Sequence, residues 1–142
     1  MSGALAGIDI DMVLVRFPAW RKVGAAAWAA YSREADLGAG LILYPALATG
    51  SALLCIAAVV GLHRGSTTDA LPAAYSTLAL TLVGLLLTIR AAPIMLSLKH
   101  GADDRATLET AFRGFRLWSS WRALAQILAF VASLWLFARI SA

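Results

Sequence analysis

The sequence predicts an all-α integral membrane protein: three transmembrane helices plus an N-terminal amphipathic helix, together resembling a four-helix bundle. The first observation is composition. Of the 142 residues, 61% are hydrophobic and 14% are charged, whereas soluble domains average about 45–50% and 25%. A soluble domain of this size has too little interior for so many apolar side chains. The other two observations are the length of the apolar segments and the distribution of basic residues.

Three apolar segments are each long enough to cross a bilayer, which takes about 20 residues. They cover approximately residues 37–62, 71–96 and 117–140. The first segment carries no charged residue, and the other two contain Arg90 and Arg122. Pro45 lies inside the first segment and predicts a kink there, because proline removes a backbone donor. We expect residues 37–142 to form one transmembrane bundle.

Residues 1–36 are expected to form a separate N-terminal unit. Two glycines and two aspartates in residues 1–12 disfavour a stable helix. We therefore expect this segment to be a loose lead-in to the first helix. From Phe17 to Asp36, aromatic and charged residues recur at helical spacing. This pattern is typical of an amphipathic helix that lies in the membrane interface.

Basic residues are concentrated on one side of the predicted bundle. Three spans place the N-terminal unit and the loop after the second span on this side, with Arg16, Arg21, Lys22, Arg33, Lys99, Arg105, Arg113 and Arg116. The opposite side carries Arg64 and Arg139. The positive-inside rule makes the richer side cytoplasmic. We expect a protein of the cytoplasmic (inner) membrane with a cytoplasmic N-terminus. Membrane lipids are its expected partners, and nucleic acid is not, because no basic stripe lies on a soluble module.

Two arginines lie inside the predicted spans, where a charge costs about 2.5–3.5 kcal/mol and is by default a functional candidate. Arg90 and Arg122 both lie towards the cytoplasmic end, at the depth of Glu34 and Asp36. We predict that these four candidate catalytic residues meet around a cytoplasm-facing cavity. The candidate substrate-binding residues are aromatic: Trp28, Tyr31, Trp118 and Trp121. Two alternatives are snorkelling of the arginines to lipid headgroups and an ion pair that only fixes helix register.

His100 is the remaining catalytic candidate. It lies in the loop on the arginine side and has the side chain best suited to act as a base near pH 7, although a solvated loop histidine is the alternative. His63 lies in the opposite loop, so the two histidines cannot share a metal within one subunit. With a single cysteine, Cys55, no zinc spacing exists. We therefore expect no metal site.

Three segments of the chain resemble the anthrone-oxygenase-like family of small four-helix membrane proteins, a domain of unknown function. One is a Trp28-centred helix leading into a proline-containing span, WAAYSREADLGAGLILYPAL. The second is the end of the next span, TIRAAPIMLSLKH, in which Thr88 to Pro93 resembles a family motif. The third is FRGFRLWSSWRALAQILAF, in which Trp118, Trp121 and Arg122 resemble the opening of the family's last helix.

The resemblance implies a cavity for a flat lipophilic substrate and the oxidation of anthrones to anthraquinones by molecular oxygen, without a cofactor. In that chemistry Arg90 and Arg122 would hold an enolate, and His100, Glu34 or Asp36 would be the base. The polar N-terminus departs from the membrane span with which family members usually begin.

Two functions follow from the sequence. The first is a membrane-embedded enzyme that acts on a lipophilic polycyclic or polyketide-like substrate by oxygenation or by related enolate chemistry, such as isomerisation or cyclisation. The alternative is a non-enzymatic membrane protein, either a carrier or an accessory subunit of a membrane complex. Because three spans and an interfacial helix make a thin bundle, we also expect a homo-oligomer.

Overall fold

The computed structural model is almost entirely helical, as predicted, and it describes residues 1–65, 68–99 and 104–141. Within these ranges no residue belongs to a β-strand. The α-helices are α1 (Ser2–Asp11), α2 (Phe17–Val23), α3 (Ala25–Glu34), α4 (Gly40–Arg64), α5 (Leu71–Ser97) and α6 (Arg105–Ser141). Two π-helical turns, Met12–Arg16 and Ala35–Ala39, join α1 to α2 and α3 to α4, and a 3₁₀ turn, Thr68–Ala70, precedes α5.

Three helical stretches are long and apolar enough to cross a membrane: Ala25–Arg64, Leu71–Ser97 and Arg105–Ser141. They contain the three predicted spans, and the first and third extend beyond them. The third begins at Arg105 because Asp104 caps it: its carboxylate Oδ2 accepts a hydrogen bond of 3.1 Å from the backbone N–H of Thr107. The first is bent at Gly38, whose φ of −88° and ψ of −114° are non-helical. The helix continues through Pro45, and the kink predicted there stays a prediction.

The prediction of a loose lead-in at residues 1–12 is wrong, because α1 and α2 run along α6 as one helical arm. The hydroxyls of Ser2 and Ser133 lie 3.2 Å apart, and a Cβ at Gly3 would lie 3.1 Å from the Phe130 ring. Packing against α6 thus stabilises a segment whose own helix propensity is low.

The predicted amphipathic helix from Phe17 to Asp36 is interrupted at Gly24. This residue has a φ of 98°, a backbone conformation that glycine adopts without a steric penalty. The chain turns here, so that α2 ends against α6 and α3 begins the long helix that leads into α4. The interfacial helix is therefore two helices with different directions.

Buried aromatic side chains fill the end of the bundle where α6 begins. This aromatic cluster consists of Phe17, Trp20, Trp28, Phe112 and Phe115. Trp28 lies at its centre with no exposed surface, and its ring centroid is 5.1 Å from that of Phe112 and 5.7 Å from that of Phe115. The cluster joins α2 and α3 to α6.

Helices α5 and α6 pack most extensively, and Gly84 on α5 leaves room for the buried amide of Gln126 on α6. A Cβ at Gly84 would lie 2.6 Å from Nε2 of Gln126, whereas a Cβ at Gly61 of α4 would meet nothing within 4 Å. We expect Gly84→Leu to lower the free energy of unfolding by about 1–3 kcal/mol through overpacking, and Gly61→Leu to leave it nearly unchanged. Thermal unfolding of both variants in one detergent checks this, and equal melting temperatures would contradict the packing.

Candidate functional site

A cavity of about 160 Å³ lies between α1, α4, α5 and α6. Most of its lining is apolar, with leucine, methionine and alanine side chains from α1, α4, α5 and the two π-helical turns, and with Phe115 from α6. The polar lining residues are Asp9, Asp36, Tyr44, Thr88, Arg122 and Gln126. A mostly apolar cavity with a few polar groups is the usual form of a small-molecule site.

One wall of the cavity holds an ion pair between α1 and α6. Arg122 donates from Nη2 and Nε to Oδ1 of Asp9, at 2.8 Å and 3.2 Å. The Arg122 and Asp9 side chains are 18% and 4% exposed. Two charge-assisted hydrogen bonds that converge on one buried carboxylate oxygen fix both the guanidinium and the N-terminal arm.

Asp36 lies on another wall and is nearly buried, with 6% of its surface exposed. Among the residues that the structure describes, neither carboxylate oxygen has a hydrogen-bond partner. Arg16 and Arg122 act on the Asp36 carboxylate through their positive charge. The Ser32 and Tyr44 hydroxyls lie near it but outside the distance and angle limits of a hydrogen bond. Asp36 belongs to the π-helical turn Ala35–Ala39, and such turns are frequent at functional sites.

The other π-helical turn places Arg16 beside the site. Its Nε donates to Oδ2 of Asp11 at 2.6 Å, and its Nη1 donates to the Tyr31 hydroxyl at 3.2 Å. The guanidinium carbon also lies 5.9 Å from the centre of the Tyr31 ring. Arg16 thus fixes the turn that precedes α2, next to the cavity rather than in its lining.

Asp36 and Arg122 both line the cavity, whereas two other catalytic candidates lie elsewhere. In the described part of the chain, Arg90 and Glu34 are exposed and do not line the cavity. The predicted meeting of Arg90 with Arg122 is therefore not observed, and the ion-pair partner of Arg122 is Asp9. His100 lies outside the described residues.

The prediction that tryptophans and Tyr31 wall the cavity is wrong for the described structure. Trp28 is buried in the aromatic cluster, and Trp118 is partly buried and packs against that cluster. The Tyr31 hydroxyl accepts a hydrogen bond from Arg16. Trp121 is 55% exposed. These side chains fill the contact between helices or face outward. No residue of α3 lines the cavity, and α6 turns Phe115, Arg122 and Gln126 towards it.

Asp9, Tyr44, Thr88 and Gln126 were not among the predicted site residues. Asp9 and Gln126 each interrupt an apolar helical stretch, and a polar residue in such a stretch is the signal that marks them. The described residues include no group of three or more His, Cys, Asp or Glu side chains arranged to hold a metal ion.

No protein-family model matches the chain, and neither does any curated protein or solved structure compared with it. The resemblance to the anthrone-oxygenase-like family has no support from these comparisons. It stays a prediction from the sequence.

Proposed function

We propose that the protein is a membrane-embedded enzyme that binds a lipophilic, polycyclic or polyketide-like molecule in the cavity and removes a proton from an acidic C–H bond. The membrane setting is supported by three helices of sufficient length and apolar character. The packed arm formed by α1 and α2 would be the fourth member of the bundle. The positive-inside pattern favours the inner membrane with the N-terminus in the cytoplasm.

The observation that carries the proposal is the Asp36 carboxylate, buried in a mostly apolar cavity without a hydrogen-bond partner among the described residues. An unsatisfied buried polar group costs about 1–3 kcal/mol, and more if it is charged. Accepting a proton from a substrate removes the part of this cost that is due to the charge. Asp36 is thus a general base whose surroundings favour proton transfer to it.

The remaining polar groups suit the product of that transfer. When Asp36 takes the proton, the C–H electron pair moves through the conjugated ring system onto the carbonyl oxygen and gives an enolate. Arg122 uses Nε and Nη2 for Asp9, which leaves Nη1 to donate to the enolate oxygen. The Tyr44 hydroxyl is a second donor in the lining. Donors held in a low-dielectric cavity stabilise a developing oxyanion strongly.

Molecular oxygen is the proposed co-substrate, without a cofactor. It adds to the enolate carbon to give a peroxide anion, which takes the proton back from Asp36 and becomes a hydroperoxide. Loss of water, with the second hydrogen of that carbon, leaves a second carbonyl. Each CH₂ group consumes one O₂ and releases one H₂O. Return of the proton to another atom, or ring closure of the enolate, gives isomerisation or cyclisation in the same site.

Asp36→Asn tests the proposal, with Glu34→Gln as its matched control two residues away. We expect Asp36→Asn to lower turnover of anthrones in oxygenated nanodiscs by about 10²–10⁴-fold, the usual contribution of a general base, and Glu34→Gln to leave it unchanged. Quinone absorbance and oxygen uptake measure the reaction. Unchanged turnover in Asp36→Asn, or an equal loss in both variants, would contradict the assignment.

A carrier is the second candidate, and the charge balance of the cavity favours it. The lining contains two carboxylates, Asp9 and Asp36, but a single guanidinium, Arg122. A cavity with one excess negative charge suits a lipophilic cation. Uptake of tetraphenylphosphonium into proteoliposomes that depends on Asp36, without turnover of any anthrone, would favour this function. A homo-oligomer is compatible with both functions, since a partner would cover Arg90 on the apolar α5.

A further inference from the structure

The opening of the cavity is apolar. Of its lining residues, Leu41 and Pro45 on α4 and Leu96 on α5 are exposed, and all others are buried or half-buried. Leu41 is 40% exposed and Leu96 is 45% exposed. The cavity therefore opens sideways, between α4 and α5, through a rim without a polar side chain among its exposed residues.

The first turns of α4 create this lateral opening. The chain enters α4 through the non-helical Gly38, and Pro45 removes a backbone donor two turns later. Across the gap, α5 presents Ala92, a small side chain in the cavity lining. Because the backbone of α4 changes direction at its start and the facing residue of α5, Ala92, is small, a space remains between two helices that otherwise pack together.

The two ends of the cavity are closed by packed side chains. At the end where α6 begins, Met12, Met95 and Phe115 are buried. At the other end, Ala48 and Gln126 are buried. A molecule from water at either end would have to displace these side chains, whereas a molecule from the side meets none of them.

We infer that the substrate is a bilayer-soluble molecule that enters laterally, between α4 and α5. This inference rests on the proposed function for its site. A cavity of about 160 Å³ is close in size to one of about 150 Å³ that holds benzene. It takes one ring or head of a polycyclic molecule, and the apolar remainder lies in the opening against Leu41 and Leu96. Water-soluble polar substrates are excluded.

Spin labels at Leu41→Cys and Leu96→Cys, in a Cys55→Ser background in nanodiscs, test the route. Two control sites bracket them: Ile42→Cys, 79% exposed on α4 and outside the lining, and Lys99→Cys, exposed after α5. Power saturation compares collisions with oxygen, which partitions into lipid, and with a polar nickel chelate, which stays in water. We expect positions 41 and 96 to match Ile42→Cys. Nickel collisions as frequent as at Lys99→Cys would overturn lateral entry.

A bound molecule supplies the second readout. We expect 9-anthrone to lower oxygen collisions at positions 41 and 96 and to leave those at Ile42→Cys unchanged. Equal changes at all three positions would contradict occupation of the opening. Neither spin-label measurement requires turnover. The activity of Asp36→Asn therefore tests the proposed chemistry, and the spin labels test the route of entry independently of it.

Discussion

Replacing Arg122 with glutamine is expected to lower the free energy of unfolding by about 3–5 kcal/mol, the usual effect of removing one partner of a buried ion pair. The Asp9 side chain is 4% exposed, so glutamine leaves its carboxylate buried and uncompensated. Arg90→Gln is the matched control, because Arg90 is also an arginine inside an apolar helix but is exposed. Its effect should stay within about 0.5 kcal/mol.

The double variant Asp9→Asn/Arg122→Gln separates the ion pair from general damage to α6. Removing both charges leaves no uncompensated carboxylate, so the double variant should be more stable than Arg122→Gln alone. Unfolding of the unchanged protein, Asp9→Asn, Arg122→Gln and the double variant in one detergent gives the coupling energy between the two sites. A stability of Arg122→Gln equal to that of Arg90→Gln would mean that the N-terminal arm does not dock through this pair.

Trp28→Ala is expected to lower the free energy of unfolding by about 3–5 kcal/mol, because it empties the centre of the aromatic cluster. Trp28 has no exposed surface, and its neighbours Phe112 and Phe115 come from a different helix, so they cannot both move in. Trp121→Ala removes an equal side chain from a position that is 55% exposed. Its effect should stay within about 0.5 kcal/mol.

Thermal unfolding followed by circular dichroism compares the two tryptophan variants. Phe115 belongs both to the aromatic cluster and to the cavity lining, so Trp28→Ala should also weaken ligand binding, and Trp121→Ala should not. The reverse order of stability would mean that Trp121 is the packed residue and would contradict the orientation of α6.

The spans were predictable because length and apolar content are properties of the sequence itself. The N-terminal arm was not, because its stability comes from distant residues. Glycine and aspartate lower the helix propensity of residues 1–12, and the contacts that offset this, Asp9 with Arg122 and Ser2 with Ser133, join positions more than 110 residues apart. Nothing in the local pattern identifies these partners.

The sequence predicted the type of site, a cavity lined by ionisable groups, but only some of its residues. Asp36 was predicted because it precedes the first span at the depth of the arginines, and Arg122 because it is a charge inside a span. Both line the cavity. Arg90 satisfies the same criterion in the sequence, but α5 turns Thr88, Ala91 and Met95 towards the cavity and leaves Arg90 exposed. Helix rotation is set by packing, which a single sequence does not specify for spans that are apolar on every face.

The most direct test of the account is infrared difference spectroscopy of the Asp36 carboxyl group on addition of 9-anthrone under nitrogen, so that no oxidation follows. If Asp36 accepts the substrate proton, a carboxylate band disappears and a protonated carboxyl band appears. Both changes should be absent in Asp36→Asn and retained in Glu34→Gln. Binding of the anthrone with no change in the carboxyl bands, or with the same changes in Asp36→Asn, would contradict it.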